Sequence, residues 1–252
     1  MEKRLVQVGN VLLGSGQPAV CIPVMGTNMQ AIAKAAQAAD AALADVIELR
    51  ADGFSPMPSL EEAAAMCRAV RAAAPKTALL FTLRTLRDGG AGADDAAAYE
   101  AVLSSVIDGG YADAVDVELS AGDAYVRLCH LAKEKGIPVV GSCHHFEGTP
   151  EEDEIFDTLV RMARLGADVS KIAVMPRSRM DLLTLMRAAV RADEACTAPI
   201  VAISMGAQGM LSRIGAQMIG SCLTFGTAGQ ASAPGQLDAK TLRHLLEIIH
   251  NT

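Results

Sequence analysis

The sequence predicts an α/β protein, a (β/α)8 TIM barrel with a short N-terminal β-hairpin capping one end. Two observations carry this expectation. From Ala19 onward, eight short apolar runs alternate with helical patterns, and no Pro/Gly/Ser-rich linker divides the series. The length of 252 residues also matches an α/β barrel built as one domain, so residues 1–252 are read as a single domain. A doubly wound sheet shares the alternation and stands as the alternative architecture.

Leu5 to Val8 and Val11 to Leu13 flank Gly9-Asn10, the pattern of a hairpin with a tight turn. The next segment, Gly14-Ser15-Gly16-Gln17-Pro18-Ala19, has glycines like those that open a dinucleotide loop. Such a loop needs a strand before it and a helix after it, whereas Pro18 and a strand-like run follow here, which argues against nucleotide binding. The predicted strands are Val20 to Met25, Val46 to Asp52, Ala78 to Arg84, Ala114 to Leu119, Pro138 to Phe146, Val169 to Pro176, Pro199 to Gly206 and Ser221 to Phe225. Helical patterns cover Asn28 to Ala44, Ser59 to Ala74, Asp95 to Asp108, Ala121 to Lys135, Pro150 to Leu165, Arg179 to Ala195, Met210 to Ile219 and Ala239 to Ile249.

Composition narrows the function classes. Hydrophobic residues make up 51% and charged residues 20% of the chain, enough to supply a large core. Aromatics are only 3%, so Ala, Val, Leu, Ile and Met fill that core. A formal net charge of -7 argues against nucleic acid or an anionic membrane surface as the main partner, because both reward a concentrated positive face. The 6 cysteines are scattered without a C-x-x-C pair, unlike a zinc site or a disulfide framework, and read as reduced core residues. The charged start, Met1-Glu2-Lys3-Arg4, is not followed by the apolar block of a signal peptide, and no apolar run reaches the roughly 18 residues of a membrane span. A cytoplasmic protein is expected.

The stretch Val169-Ser170-Lys171-Ile172-Ala173-Val174-Met175-Pro176 places one lysine inside an apolar run short enough to be a buried strand. Desolvation disfavours the charged ammonium, and the neutral amine is a nucleophile for a ketone or aldehyde. A carboxylate partner would relieve the burial equally well. Residues two apart on a strand share a face. Glu48, Arg50 and Asp52 fall together on this basis, as do Thr82 with Arg84, Asp116 with Glu118, and Ser142 with His144. Most lie toward the C-terminal ends of their strands, where barrel enzymes gather catalytic groups. Structural ion pairing within the barrel is the competing explanation. Arg50, Arg84 and Arg213 offer planar forks for a carboxylate or several hydroxyls, and no Gly-x-x-x-x-Gly-Lys phosphate loop is present.

These residues resemble the type I 3-dehydroquinate dehydratases, Schiff-base enzymes of the shikimate pathway. The match includes Glu48-Leu49-Arg50-Ala51-Asp52, Phe81-Thr82-Leu83-Arg84 with Gly89-Gly90, Ser142-Cys143-His144 with Phe146 and Thr149-Pro150, and Gly166-Ala167-Asp168 leading into Lys171-Ile172-Ala173. It continues through Ser204-Met205-Gly206, Ser212-Arg213 and Thr224-Phe225-Gly226 to Ala231-Ser232-Ala233-Pro234-Gly235-Gln236.

The resemblance implies a homodimeric barrel that converts 3-dehydroquinate to 3-dehydroshikimate without metal or organic cofactor. It implies Lys171 as the imine-forming amine, His144 as general acid and base, and Asp88 in the position of a residue that orients the histidine. Arg213 and Gln236 would hold the substrate carboxylate, Glu48, Arg50, Arg84 and Ser232 its ring oxygens and closing loop, and Met205 would pack against it. A class I aldolase or transaldolase, or a barrel that only binds a polyhydroxy acid, are the alternatives.

Three positions depart from the family pattern. His145 stands where Asp or Asn is common, and Pro23 where a serine often lines the site. Asp88 replaces a glutamate with a side chain one methylene shorter, so a backbone shift or a water is expected between it and His144.

Overall fold

Runs rich in Val, Ile and Leu form the central strands, because branched side chains suit a pleated surface that is covered on both faces. The computed structural model describes residues 3–229 and 235–251. An antiparallel hairpin, β1 (Val6–Val8) and β2 (Val11–Leu13), comes first. There follow β3 (Ala19–Val24), α1 (Met29–Ala41), β4 (Val46–Arg50), α2 (Leu60–Ala73), β5 (Ala78–Thr82), α3 (Ala96–Asp108) and β6 (Ala114–Glu118). The second half contains α4 (Asp123–Lys135), β7 (Val139–His145), α5 (Glu152–Arg164), β8 (Val169–Val174), α6 (Arg179–Ala195) and β9 (Ile200–Ser204). It ends with α7 (Met210–Ile214), β10 (Leu223–Thr227), β11 (Leu237–Asp238) and α8 (Ala239–His250).

The large sheet runs β11-β10-β3-β4-β5-β6-β7-β8-β9, with every neighbouring pair parallel. It curls until β9 meets β10, where Ile200 bridges Ser221 and the Cys222 N–H donates to the Ile200 carbonyl at 2.9 Å. A doubly wound sheet would leave two open edges, so the expected barrel is the architecture found.

A recurring device ties the strand starts together. Asp45, immediately before β4, accepts from the Val20 N–H at 2.7 Å; Asp113, before β6, accepts from Leu79 at 2.8 Å; Asp168, before β8, accepts from Val139 at 2.9 Å. Ser221 plays the same part ahead of β10, accepting from the Ala202 N–H at 2.8 Å. Each side chain satisfies a backbone donor that the adjoining strand would otherwise leave buried and unpaired. The hairpin seals this end, since Val6, Val8 and Leu13 pack with Ala19, Val46, Ala78, Ala114 and Val169, the first residues of five barrel strands. It leaves the C-terminal ends open for a site.

Differences from the sequence expectation fall mainly at strand ends. Asp52, expected on a strand, lies in the one-turn 3-10 segment Ala51–Gly53, and Arg84 lies just beyond β5; Asp88 falls in a second such segment, Leu86–Asp88, for which no element was expected. The expected helix from Met210 to Ile219 breaks at Gly215 into α7 and a 3-10 turn, Ala216–Ile219. Ser212 Oγ accepts from the Ser204 N–H at 2.9 Å and donates to the Gly209 carbonyl, tying the short α7 to β9. The two-residue β11 had no periodic signal to reveal it.

Replacing Ser221 with Ala leaves the buried Ala202 donor unsatisfied at the closing seam, and an orphaned donor of this kind costs about 1–3 kcal/mol. Urea denaturation of Ser221→Ala is expected to show that loss with an unchanged m-value.

Candidate active site

At the C-terminal end of the barrel lies a cavity of about 130 Å3. Glu48, Arg50, Arg84, Asp88, His144, Lys171, Met205, Arg213 and Gln236 all line it. The strand period and the parallel register turn Glu48, Arg50, His144 and Lys171 toward one space, Arg84 and Asp88 reach it from the segment after β5, and Met205 and Arg213 enter from the β9–α7 segment. Ser232 lies outside the described residues.

Lys171 is 4% exposed, so its amine sits well inside the barrel. Nζ lies 3.4 Å from Asp116 Oδ2 and 3.5 Å from Glu48 Oε1, and 4.7 Å from the centre of the Phe225 ring. The carboxylates and the ring face offset the desolvation of a cation at Nζ. The lysine therefore has both a cavity and acidic partners, two features that the sequence presented as alternatives.

Arg84 organises the carboxylates around it. Nη2 donates to Asp116 at 2.7 Å, and Nη1 donates to Glu118 at 3.1 Å and Ser142 Oγ at 2.8 Å. Burial opposes ionisation of Asp116, but Arg84 and then Lys171 outweigh it and hold this carboxyl well below its usual range. Ser142 adds a donated bond of 2.6 Å to Asp116. Arg50 likewise directs a bidentate fork to Asp52, at 2.7 and 2.8 Å. Two of the three arginines read from the sequence as substrate forks are thus engaged with protein carboxylates. Arg213 is 1% exposed, with Nη1 3.5 Å from the Phe225 carbonyl; burial lowers its guanidinium to about 10, which leaves it charged at neutral pH.

His144 Nδ1 lies 3.0 Å from Asp88 Oδ2. The contact is direct, so of the two expected routes, a backbone shift or a water, no water stands between the shorter side chain and the ring. The reason is the loop that carries Asp88. The Glu118 carboxylate accepts from the Thr85 N–H at 2.9 Å and its hydroxyl at 2.6 Å, while Asp52 accepts from the Arg84 and Ala91 N–H groups at 3.3 and 3.1 Å. Gly89 has φ +77°, and a Cβ there would stand 2.0 Å from the Phe146 ring, so only glycine permits this approach. The loop is thereby folded back over β7.

A carboxylate only accepts, so the His144 Nδ1–H donates and Nε2 is left as the acceptor. Burial, reinforced by the positive charges of Arg84 and Lys171, keeps the imidazole well below its usual value and neutral at pH 7. Burial raises the Asp88 carboxyl, against the pull of Arg84. His145 has the opposite strand parity, with Nε2 3.4 Å from Cys143 Sγ, and does not line the cavity. Burial pushes the Cys143 thiol up to about 12, so it stays protonated.

Asp116, Glu118 and Ser142 were visible as inward strand positions but lacked an assigned role in the site. Phe225 was missed; its alternation with Leu223 on β10 was the available signal. Phe146, stacked near His144 with ring centroids 6.2 Å apart, depends on a loop contact that no local pattern announces.

The type I 3-dehydroquinase family model matches residues 20–252. A 3-dehydroquinate dehydratase of Listeria monocytogenes serotype 4a is 39% identical, with 97% of this chain and 98% of that protein covered. One from Clostridioides difficile strain 630 is 36% identical over 99% of both chains. Among solved structures, a Clostridium difficile type I 3-dehydroquinate dehydratase with covalent modified comenic acid superposes with a TM-score of 0.95 at 36% identity, covering 99% of both chains. The Geobacillus kaustophilus 3-dehydroquinate dehydratase gives 0.95 at 30% identity, covering 99% of this chain and 98% of that one.

Removing Arg84 strands at least two buried carboxylates, and breaking a buried ion pair from one side costs about 3–5 kcal/mol. Arg84→Met is expected to lose stability on that scale in thermal or urea unfolding without substrate. A residue that only touched substrate would leave the ligand-free protein unchanged.

Proposed function

Because the chain belongs to the type I 3-dehydroquinase family, we propose that it dehydrates 3-dehydroquinate to 3-dehydroshikimate through an imine on Lys171. The observation that carries this reading is the juxtaposition of Lys171 and His144 in one small cavity, with the histidine held by Asp88 and Arg213 lining the same cavity.

Attack by the neutral amine on the ketone carbon gives a carbinolamine, which loses water to form a protonated imine. The cation at nitrogen makes the adjacent C–H acidic. His144 Nε2 takes that proton, and the C–H electron pair moves toward the nitrogen to form an enamine. As the pair returns, the C–O bond to the β-hydroxyl breaks, and His144 gives its proton to the departing oxygen. Hydrolysis of the imine restores the ketone and the lysine. One C–H and one C–O bond are lost, one C=C bond forms and one water leaves, with no change of oxidation state.

The surroundings suit this sequence. Asp116 and Glu48 stabilise positive charge at Nζ, whether it belongs to the ammonium or to the protonated imine. Arg213 and Gln236 supply donors for the substrate carboxylate, while Glu48, Arg50 and Arg84 address ring oxygens. Met205 presents an apolar wall to the ring.

Borohydride reduction during turnover with 3-dehydroquinate is expected to leave a reduced adduct on Lys171, located by peptide mass spectrometry. Lys171→Ala should abolish formation of the conjugated enone product, followed by ultraviolet absorbance. An unmodified lysine, or enone formation by that variant, contradicts the imine route. His144→Ala should reduce kcat by about 10^2–10^4-fold, the usual contribution of a positioned acid–base group.

The pH dependence has a definite sign. A base must be neutral to accept a proton, and His144 titrates below its ordinary value of 6.5. The acidic limb of the kcat/KM profile is therefore expected below pH 6.5, with activity falling as pH drops through it. A limb above 6.5 would exclude neutral His144 as the group responsible.

A further inference from the structure

Asp88 meets the His144 ring through Oδ2 and also bonds to the His144 backbone; its other oxygen, Oδ1, accepts a hydrogen bond of 2.9 Å from the Ser120 hydroxyl. Ser120 lies in the 3-10 turn Leu119–Ala121 after β6 and is exposed, whereas Asp88 is 5% exposed. An exposed serine has water available as a partner, so its bond to a buried carboxylate oxygen is a specific contact.

The geometry points to Ser120 as a positioning residue that sets the rotation of the Asp88 carboxylate and, through it, the orientation of His144. This inference rests on the proposed acid–base role of His144. Arg84 Nη1 stands 4.0 Å from Oδ2, so the histidine and the arginine draw on the same oxygen from different directions. An aspartate carboxylate turns about one terminal torsion with a broad minimum. Without a partner on Oδ1, rotation brings an oxygen closer to Arg84 at the expense of the bond to Nδ1. With Ser120 on Oδ1, Oδ2 remains opposite the ring. The short aspartate thus gains from the β6 turn a restraint that its own side chain lacks.

The charged groups around the pair come from four strands or their following turns. Arg84, beyond β5, acts on both residues; Asp116, on β6, raises both, and the Ser120 bond favours the Asp88 carboxylate. Lys171, on β8, and Arg50, on β4, disfavour protonated His144. Glu118, at the end of β6, is coupled to Asp88 through the mutual repulsion of the two carboxylates. Loss of the Ser120 donor removes a bond that favours ionised Asp88, so the carboxyl takes up a proton at higher pH and ceases to accept from Nδ1–H.

The test compares wild type, Ser120→Ala and Ser120→Thr. Ser120→Ala is expected to lower kcat about tenfold with KM within about twofold, the effect of losing one hydrogen bond to a charged group. The loss of the anionic acceptor disfavours protonated His144, so the acidic limb of kcat/KM should move downward by about half a pH unit. Ser120→Thr, which keeps the hydroxyl, should restore both. Side-chain nitrogen NMR of 15N-histidine-labelled protein reads the same contact without turnover. Wild-type His144 should show a protonated Nδ1 and a bare Nε2, and Ser120→Ala a mixture of tautomers. A well-folded Ser120→Ala protein with a wild-type tautomer and pH profile overturns the inference. Enone formation by Lys171→Ala, measured in parallel, would instead count against the imine mechanism and leave the NMR result to decide the role of Ser120.

Discussion

Burying the Lys171 amine inside a barrel imposes an electrostatic requirement that the mouth is built to meet. A lone ammonium at 4% exposure would be strongly desolvated. Asp116 and Glu48 stand within 3.5 Å of Nζ, and Phe225 presents its ring face. Two adjacent carboxylates would repel each other, and Arg84 resolves that conflict for Asp116 while also engaging Glu118. Each charge in the group is tolerable because of the next one. In the proposed reaction this arrangement serves catalysis as well as burial, since the positive charge of the protonated imine forms at a nitrogen whose surrounding charges and dipoles are already in place.

The same carboxylates shape the backbone. Glu118 binds Arg84 through one oxygen and Thr85 through both, so it couples charge neutralisation to the start of the loop carrying Asp88. Asp52 receives the Arg50 fork and two backbone N–H groups from the loop. These contacts, with the close approach at Gly89, bring Asp88 within 3.0 Å of the imidazole. The deletion of one methylene relative to glutamate is absorbed by loop placement.

The two ends of the barrel divide the work. At the N-terminal end, Asp45, Asp113, Asp168 and Ser221 satisfy backbone donors, and the hairpin excludes water with Val6, Val8 and Leu13. Polar side chains there stabilise the sheet. At the C-terminal end, polar side chains converge on a cavity and are held by one another. This polarity follows from parallel strands, whose following loops all emerge on one side and can be shaped independently of the sealed end.

Period and composition were sufficient to establish the strand–helix alternation, the hairpin and the inward parity of Glu48, Arg84, Asp116, His144 and Lys171, because these depend on residues close together in the chain. The ordered motifs likewise pointed to the family. The sequence did not decide whether Lys171 would face a cavity or acids, nor that Arg50 and Arg84 would direct their forks to protein carboxylates. It also gave no indication that Ser120 would touch Asp88, 32 positions away. Those outcomes depend on distances between different strands and loops, set only when the sheet closes and its charges must find partners in the volume that closure leaves.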